Sequence, residues 1–152
     1  LIHCRKKLYS VTKEIKKLSE TDKYNALMGL LRSTPGIGLI TGMTLITEIM
    51  DINRFSNFNK FNAFVGLYPN QFSSGEKVRM GKMTPRHNAY LRPLIIEAAW
   101  TSIRFDSALT LKFNEDCKRK TKKRAIVTIA RKLLSRIYTV WTSGVLYEKG
   151  LK

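Results

Sequence analysis

Residues 118 to 141 read KRKTKKRAIVTIARKLLSRIYTVW. Ile126, Ile129, Ala130, Leu133, Leu134, Ile137 and Trp141 recur three and four residues apart, the period of a helix with one apolar face. The stretch therefore predicts a long amphipathic α-helix entered through a basic run of Lys118, Arg119, Lys120, Lys122, Lys123 and Arg124. A basic run is ordinarily a solvated face. Here it is also a candidate for tracking a phosphate backbone, because the whole chain carries charge of the same sign.

Other segments repeat the helical period. Leu1, Cys4, Leu8, Val11, Ile15 and Leu18 alternate three and four apart among Lys, Arg, Thr and Glu, an a/d heptad seam. About two and a half heptads are too few to hold a dimer alone. Two readings stay open: the end of a longer coiled coil, or an amphipathic helix packed on its own domain. The chain opens on Leu1 rather than Met, which suggests an upstream portion. A helix near Tyr24–Arg32 stops at Pro35 and Gly36 in STPGIG, and LITGMTLITEIMDI restarts the pattern. Helix, glycine turn, helix is the outline of a helix-hairpin-helix. In such a turn the backbone N–H groups of Gly36, Ile37 and Gly38 approach a phosphate, and the next helix start favours the anion. A helix-breaking turn that binds nothing fits the same letters. Phe55, Phe58, Phe61 and Phe64 recur every third residue and read as one buried helical face rather than a base-stacking platform.

Charge is the strongest bulk property. Of 152 residues, 28 are Lys or Arg and 11 are Asp or Glu, a formal net charge of +17 with a pI near 10.2. Such a chain repels itself unless a polyanion neutralises it, and nucleic acid is the first partner to consider. An apolar share of 43% supplies a core for one domain. No apolar run approaches the ~18 residues of a membrane span, so no membrane partner is expected. Two cysteines without metal or disulfide spacing fit an intracellular, reducing compartment.

Catalytic candidates are few. The acids form no cluster of the kind that holds two cations at a scissile phosphate. Glu48 and Asp51 share a helical face, Glu97 in an apolar helix is the one carboxylate expected to be buried, and His3 and His87 are too few for a zinc site. The stretch from Gly66 to Arg92 differs. GLYPNQFSSGEKVRMGKMTPRHNAYLR is dense in turn formers and reads as a basic loop or short β-hairpin near 66–88. Asn88 is placed to cap the next helix, with Pro93 in its first turns. Ser73 and Ser74 precede a glycine, and Lys77, Arg79, Lys82, Arg86 and Arg92 follow within eighteen residues. A serine attacks phosphorus only if a base removes its proton and cations stabilise the phosphoryl oxygens. Those five cations suit the second task; Glu76 and His87 are the bases at hand. By itself SSG is a common turn.

The order of three segments, STPGIGLITGMTLITEI, RFSNFNKFNAFVGLYPNQFSSGE and RMGKMTPRHNAYLRPLIIEAAW, resembles the C-terminal domain of the Piv-like, bridge-RNA-guided insertion-sequence transposases. The resemblance covers roughly residues 31 to 147. It implies a mainly α, compact helical domain over 23–150 that follows the end of a coiled-coil linker over 1–22. It implies Ser74 as nucleophile, with Ser73 the alternative, and a partner RuvC-like nuclease domain bringing the carboxylates and Mg²⁺, so that no cofactor is expected in this chain. It implies DNA and a noncoding guide RNA as partners, and a homo-oligomer, dimer or tetramer, of the full-length protein. Lys77, Arg79, Lys82, Arg86, Asn88 and Arg92 then surround the phosphate, while Gly36 to Gly38 and Lys118 to Arg124 hold flanking backbone. The sequence departs from the family at Arg86-His87-Asn88, where relatives carry Lys/Arg-Gly-Asn. A non-catalytic helix-hairpin-helix DNA-binding module is the alternative function.

Overall fold

A computed structural model describes residues 2–74 and 77–148, together with the backbone but not the side chains of 69–74 and 77–82. The long helix expected from the opening stretch is α7, Lys122–Ser143, and the other elements are arranged around it. In order these are α1 (Ile2–Ser19), α2 (Asp22–Arg32), α3 (Leu39–Ile49), a 3-10 turn (Ile52–Arg54), α4 (Phe58–Val65), β1 (Pro69–Ser74), β2 (Lys77–Met83), α5 (Leu91–Ser102) and α6 (Ser107–Cys117). α7 buries Ala125, Ile126, Ile129, Ala130, Leu133, Leu134, Ile137 and Val140 against α2, α4, α5, α6 and the 3-10 turn. Each fully buried Leu or Ile there contributes about 1.5–3 kcal/mol, so α7 is the principal source of hydrophobic stabilisation. The chain is mainly α, as its apolar spacing requires.

The phenylalanine ladder is core. Phe61 is fully buried, and Phe55, Phe58 and Phe64 pack on the same apolar cluster. Phe61 and Phe58 also meet the Tyr138 ring of α7 at 5.7 and 5.9 Å between centroids. The Arg54 guanidinium lies 4.7 Å from both the Phe55 and Phe64 ring centres, so a cation shields the outer edge of this cluster. α1 behaves differently along its length. Its last turns meet α2 and α3 through Ile15 and Ser19, whereas Leu8 is 68% exposed and Ile2 and Tyr9 also face solvent.

Two glycines fix how the connections pack. Gly36 has φ +89°, and a Cβ there would stand 2.4 Å from the Ala98 carbonyl oxygen of α5. The α2–α3 turn is thus pressed onto α5, with Thr34, Pro35 and Ile37 buried beneath it. Gly66 closes α4 at φ +86°, and a Cβ there would stand 2.1 Å from the His87 Cβ. His87 does not adopt a positive φ, and its Nδ1 lies 2.7 Å from the Pro85 carbonyl oxygen. The turn accepts a side chain because its backbone stays in the ordinary region.

Two findings were not anticipated. α6 stands as a separate helix, capped by Asp106, whose carboxylate accepts from the Leu109 N–H at 3.1 Å. Glu97, expected to be buried, is exposed; among the described residues the buried carboxylates are Asp106 and Asp116.

Candidate nucleic-acid interface

The segment from Gly66 to Arg92 forms an antiparallel hairpin of β1 and β2. Ser74 stands opposite Lys77, Ser73 opposite Val78 and Phe72 opposite Arg79, with a register shift between Pro69 and Gln71. Five steps at about 3.3 Å each put Ser74 about 17 Å along the strand from Pro69, at the far end of the ribbon. Gly75 and Glu76, the latter a candidate base, lie outside the described residues, as do the side chains of Ser73, Ser74, Lys77, Arg79 and Lys82.

The base of the ribbon is tied down firmly. Thr84 N–H donates to the Tyr68 carbonyl at 3.2 Å, and Arg92 Nη1 donates to the Thr84 carbonyl at 2.9 Å. Asn88 is the node of this region. Its Oδ1 accepts from the N–H groups of Tyr90 and Leu91 at 2.9 and 2.8 Å, satisfying the start of α5. Its Nδ2 donates to Glu48 Oε2 of α3 at 2.7 Å, and its own N–H donates to the Phe64 carbonyl of α4 at 3.2 Å. One side chain and one peptide group thus join three helices at the ribbon's exit. Asn88 and Arg92, both proposed phosphate contacts, already have protein partners; Arg86 is exposed. In the α2–α3 turn, Ile37 is buried and Gly36 is pressed onto α5, so of the three turn residues only Gly38 faces solvent.

The basic run divides in two. Asp116, buried near the end of α6, holds Lys112 at 3.4 Å and Lys120 at 3.3 Å. Burial would raise its pKa, but the hydrogen bonds from Lys120 and Lys112 and their charge prevail and hold it below the usual carboxylate value. Glu115 takes a 2.8 Å hydrogen bond from Lys112, which lowers the glutamate and raises the lysine, and pairs with Arg119 at 3.7 Å. Arg119 and Lys120 are therefore engaged within the fold. Lys118, Lys122, Lys123 and Arg124 are exposed, and none of them is in a salt bridge among the described residues.

Arginine, carboxylate and phenol meet on the opposite side of α7. Arg136 Nη1 donates to Asp106 Oδ2 at 2.7 Å, and the Tyr147 hydroxyl lies in short hydrogen-bond contact with both. Tyr147 N–H also donates to Ser33 Oγ at 2.8 Å, which carries the segment after α7 back to the end of α2. Burial would raise the Asp106 pKa, but hydrogen bonds from Tyr147 and the Leu109 N–H, with the Arg136 charge, hold it low. Burial and the Asp106 bond push the Tyr147 phenol up to about 12. This cluster is a structural clasp. No sequence pattern pointed to it, because Asp106 is 30 residues from Arg136 and 41 from Tyr147. Among the described residues no three His, Cys, Asp or Glu side chains gather to hold a metal ion. Among them, too, no helix is long and apolar enough to cross a membrane.

Residues 28–114 match the profile of the family described as Transposase IS116/IS110/IS902 family. The chain is 30% identical over 138 residues to the transposase for insertion sequence element IS1111A of Coxiella burnetii, covering 88% of this chain and 38% of that protein. It is 27% identical over 124 residues to the insertion element IS110 uncharacterized 43.6 kDa protein of Streptomyces coelicolor, covering 80% of this chain and 30% of that protein. It therefore spans only 30% to 38% of the length of these relatives. With the matched region running from α2 through most of α6, the chain belongs to the IS116/IS110/IS902 transposase family.

Proposed function

We propose that this chain is the C-terminal, serine-bearing domain of a Piv-like, bridge-RNA-guided transposase, and that Ser74 is its nucleophile. The Ser74 hydroxyl gives its proton to a base supplied by the composite site, its Oγ bonds to a DNA phosphorus, the bond from phosphorus to the leaving strand's oxygen breaks, and that oxygen takes up a proton. The resulting phosphoserine ester retains the energy of the broken bond for rejoining. The observation that carries the choice is the ribbon register: Ser74 has a cation, Lys77, as its cross-strand partner, whereas Ser73 has Val78. Directly opposed residues of an antiparallel pair are close neighbours, so a lysine there favours the phosphoryl charge. Arg79, Lys82 and Arg86 extend that field, and Arg92 and Asn88 hold the ribbon's base. The described residues gather no metal-ligand set. In this reading Mg²⁺ belongs to a RuvC-like domain of the full-length protein. A noncoding guide RNA reads sequence by base pairing, and a homo-oligomer assembles the composite site.

In the full-length enzyme, Ser74→Ala abolishes strand exchange while DNA affinity stays within twofold, and Ser73→Ala retains exchange. Retained exchange in Ser74→Ala contradicts the assignment. A second reading, a non-catalytic helix-hairpin-helix module, draws support from α3, which starts at exposed Gly38 without a side-chain cap. That module forms no covalent DNA adduct under any condition.

A further inference from the structure

We infer that the outer face of α7 is a second DNA contact, one that grips the sugar-phosphate backbone of duplex DNA flanking the reacting phosphate. It rests on the reading of the chain as a domain that acts on DNA; it shares Arg124 with the Lys118–Arg124 run and adds Arg131 and Lys132, which neither that run nor the hairpin includes. At 3.6 residues per turn, Arg124, Thr128, Arg131, Ser135, Thr139 and Thr142 fall within an arc of about 80°, opposite the buried stripe. Lys132 is exposed on the flank of that arc. The 22 residues of α7 contain no Asp or Glu at all, and none of Arg124, Arg131 and Lys132 is in a salt bridge among the described residues. A solvated helix ordinarily mixes both signs on its outer face.

Three further observations point to a phosphate backbone. The first turn of α7 carries Lys122, Lys123 and Arg124 and no acid, although a helix start is the positive end of the dipole. These cations oppose the helix until an anion lies against them. Second, the residues between the cations are small: Thr128, Thr139 and Thr142 return their hydroxyl protons to carbonyls of their own helix. The ridge between the cations stays low, and a backbone can approach along about 27 Å of helix. Third, shallow clefts flank the face and share Lys132 and Ser135, one of 210 Å³ against Phe58 and one of 540 Å³ against the Tyr147 segment. None of the six residues of this arc is aromatic, so the face itself offers no ring on which an unpaired base could stack. That favours the duplex backbone over single-stranded RNA.

The test measures binding of the 152-residue chain to a fluorescent 30-base-pair DNA duplex and to single-stranded RNA of equal length, from 50 to 300 mM salt. Arg124→Gln/Arg131→Gln/Lys132→Gln is compared with Lys6→Gln/Lys13→Gln/Lys17→Gln on exposed α1, which removes the same charge elsewhere. The outer-face variant loses at least tenfold in duplex affinity relative to the α1 variant, and its salt slope falls by about 2.7, or about 0.9 per contact. Equal affinity and slope in the two variants overturn the inference, as does a loss confined to RNA. If the triple variant loses its thermal transition, Arg131→Gln and Lys132→Gln singly carry the test at about 0.9 each. The proposed function is judged separately by the Ser74 variants in the full-length enzyme, so either reading can fail alone.

Discussion

Arg131 and Arg136 stand five residues apart on one helix and carry the same charge, yet their surroundings are opposite. Arg136 turns to the interior, where a buried aspartate and a phenol occupy its donors. Arg131 stands on a face with no acid on its own helix and no salt bridge among the described residues. The same division runs through the basic run, where Arg119 and Lys120 serve Glu115 and Asp116 while Lys118, Lys122, Lys123 and Arg124 do not. A net charge of +17 therefore overstates the cations open to a polyanion. Subtracting those already paired with acids is what turns a charge count into an interface.

The largest expected effect tests the interior side of that division. Asp106→Ala leaves Arg136 without its buried partner and α6 without its cap, and costs about 3 kcal/mol. A melting temperature lower by roughly 10 °C, with unchanged DNA salt slope, meets that expectation. Gly66→Ala comes next, at about 2 kcal/mol, because the added methyl meets His87 and the backbone is left-handed; it lowers thermal stability without altering the salt slope. Asp116→Asn costs about 1 kcal/mol and releases Lys112 and Lys120. It alone is expected to steepen the salt dependence of DNA binding, by up to about 0.9 for each lysine that reaches a phosphate. A shallower slope in Asp116→Asn breaks the comparison.

The smallest effect is read by pH. The Asp106 carboxyl is held below its ordinary value, so its stabilisation is complete above that value and is lost as pH falls through the folded-state value. Tyr147 behaves in the reverse sense. Its folded pKa of about 12 lies above the ordinary 10.0, so the folded chain keeps a proton that the unfolded chain releases. Stability falls as pH rises from 10.0 toward about 12. Tyr147→Phe removes the alkaline loss; an unchanged alkaline profile contradicts the clasp.

The apolar spacing of α7, the capping Asn88, Pro93 in the first turn of α5 and the phenylalanine ladder were all legible, because helical period and caps are local properties. α6 was not read as a separate helix. Of its residues only Leu109 and Asp116 are fully buried, so its apolar period is weak, and its signal lay in Asp106, three residues before Leu109. Glu97 misled because its neighbours are apolar. α5 buries Leu91, Ile95, Ala98, Ala99 and Ser102, and residue 97 falls about 200° around the helix from Ile95. The buried acids escaped notice because what shelters them is remote in sequence. The hairpin register, by contrast, followed no pattern in the letters, and it is what separates Ser74 from Ser73.

The most direct measurement traps the full-length transposase on labelled DNA, denatures it, digests it and maps the covalent adduct by mass spectrometry. The account predicts a nucleotide phosphoester on the peptide containing Ser74, absent from Ser74→Ala and present in Ser73→Ala. An adduct on any other residue, or strand exchange in Ser74→Ala at the wild-type level, contradicts it.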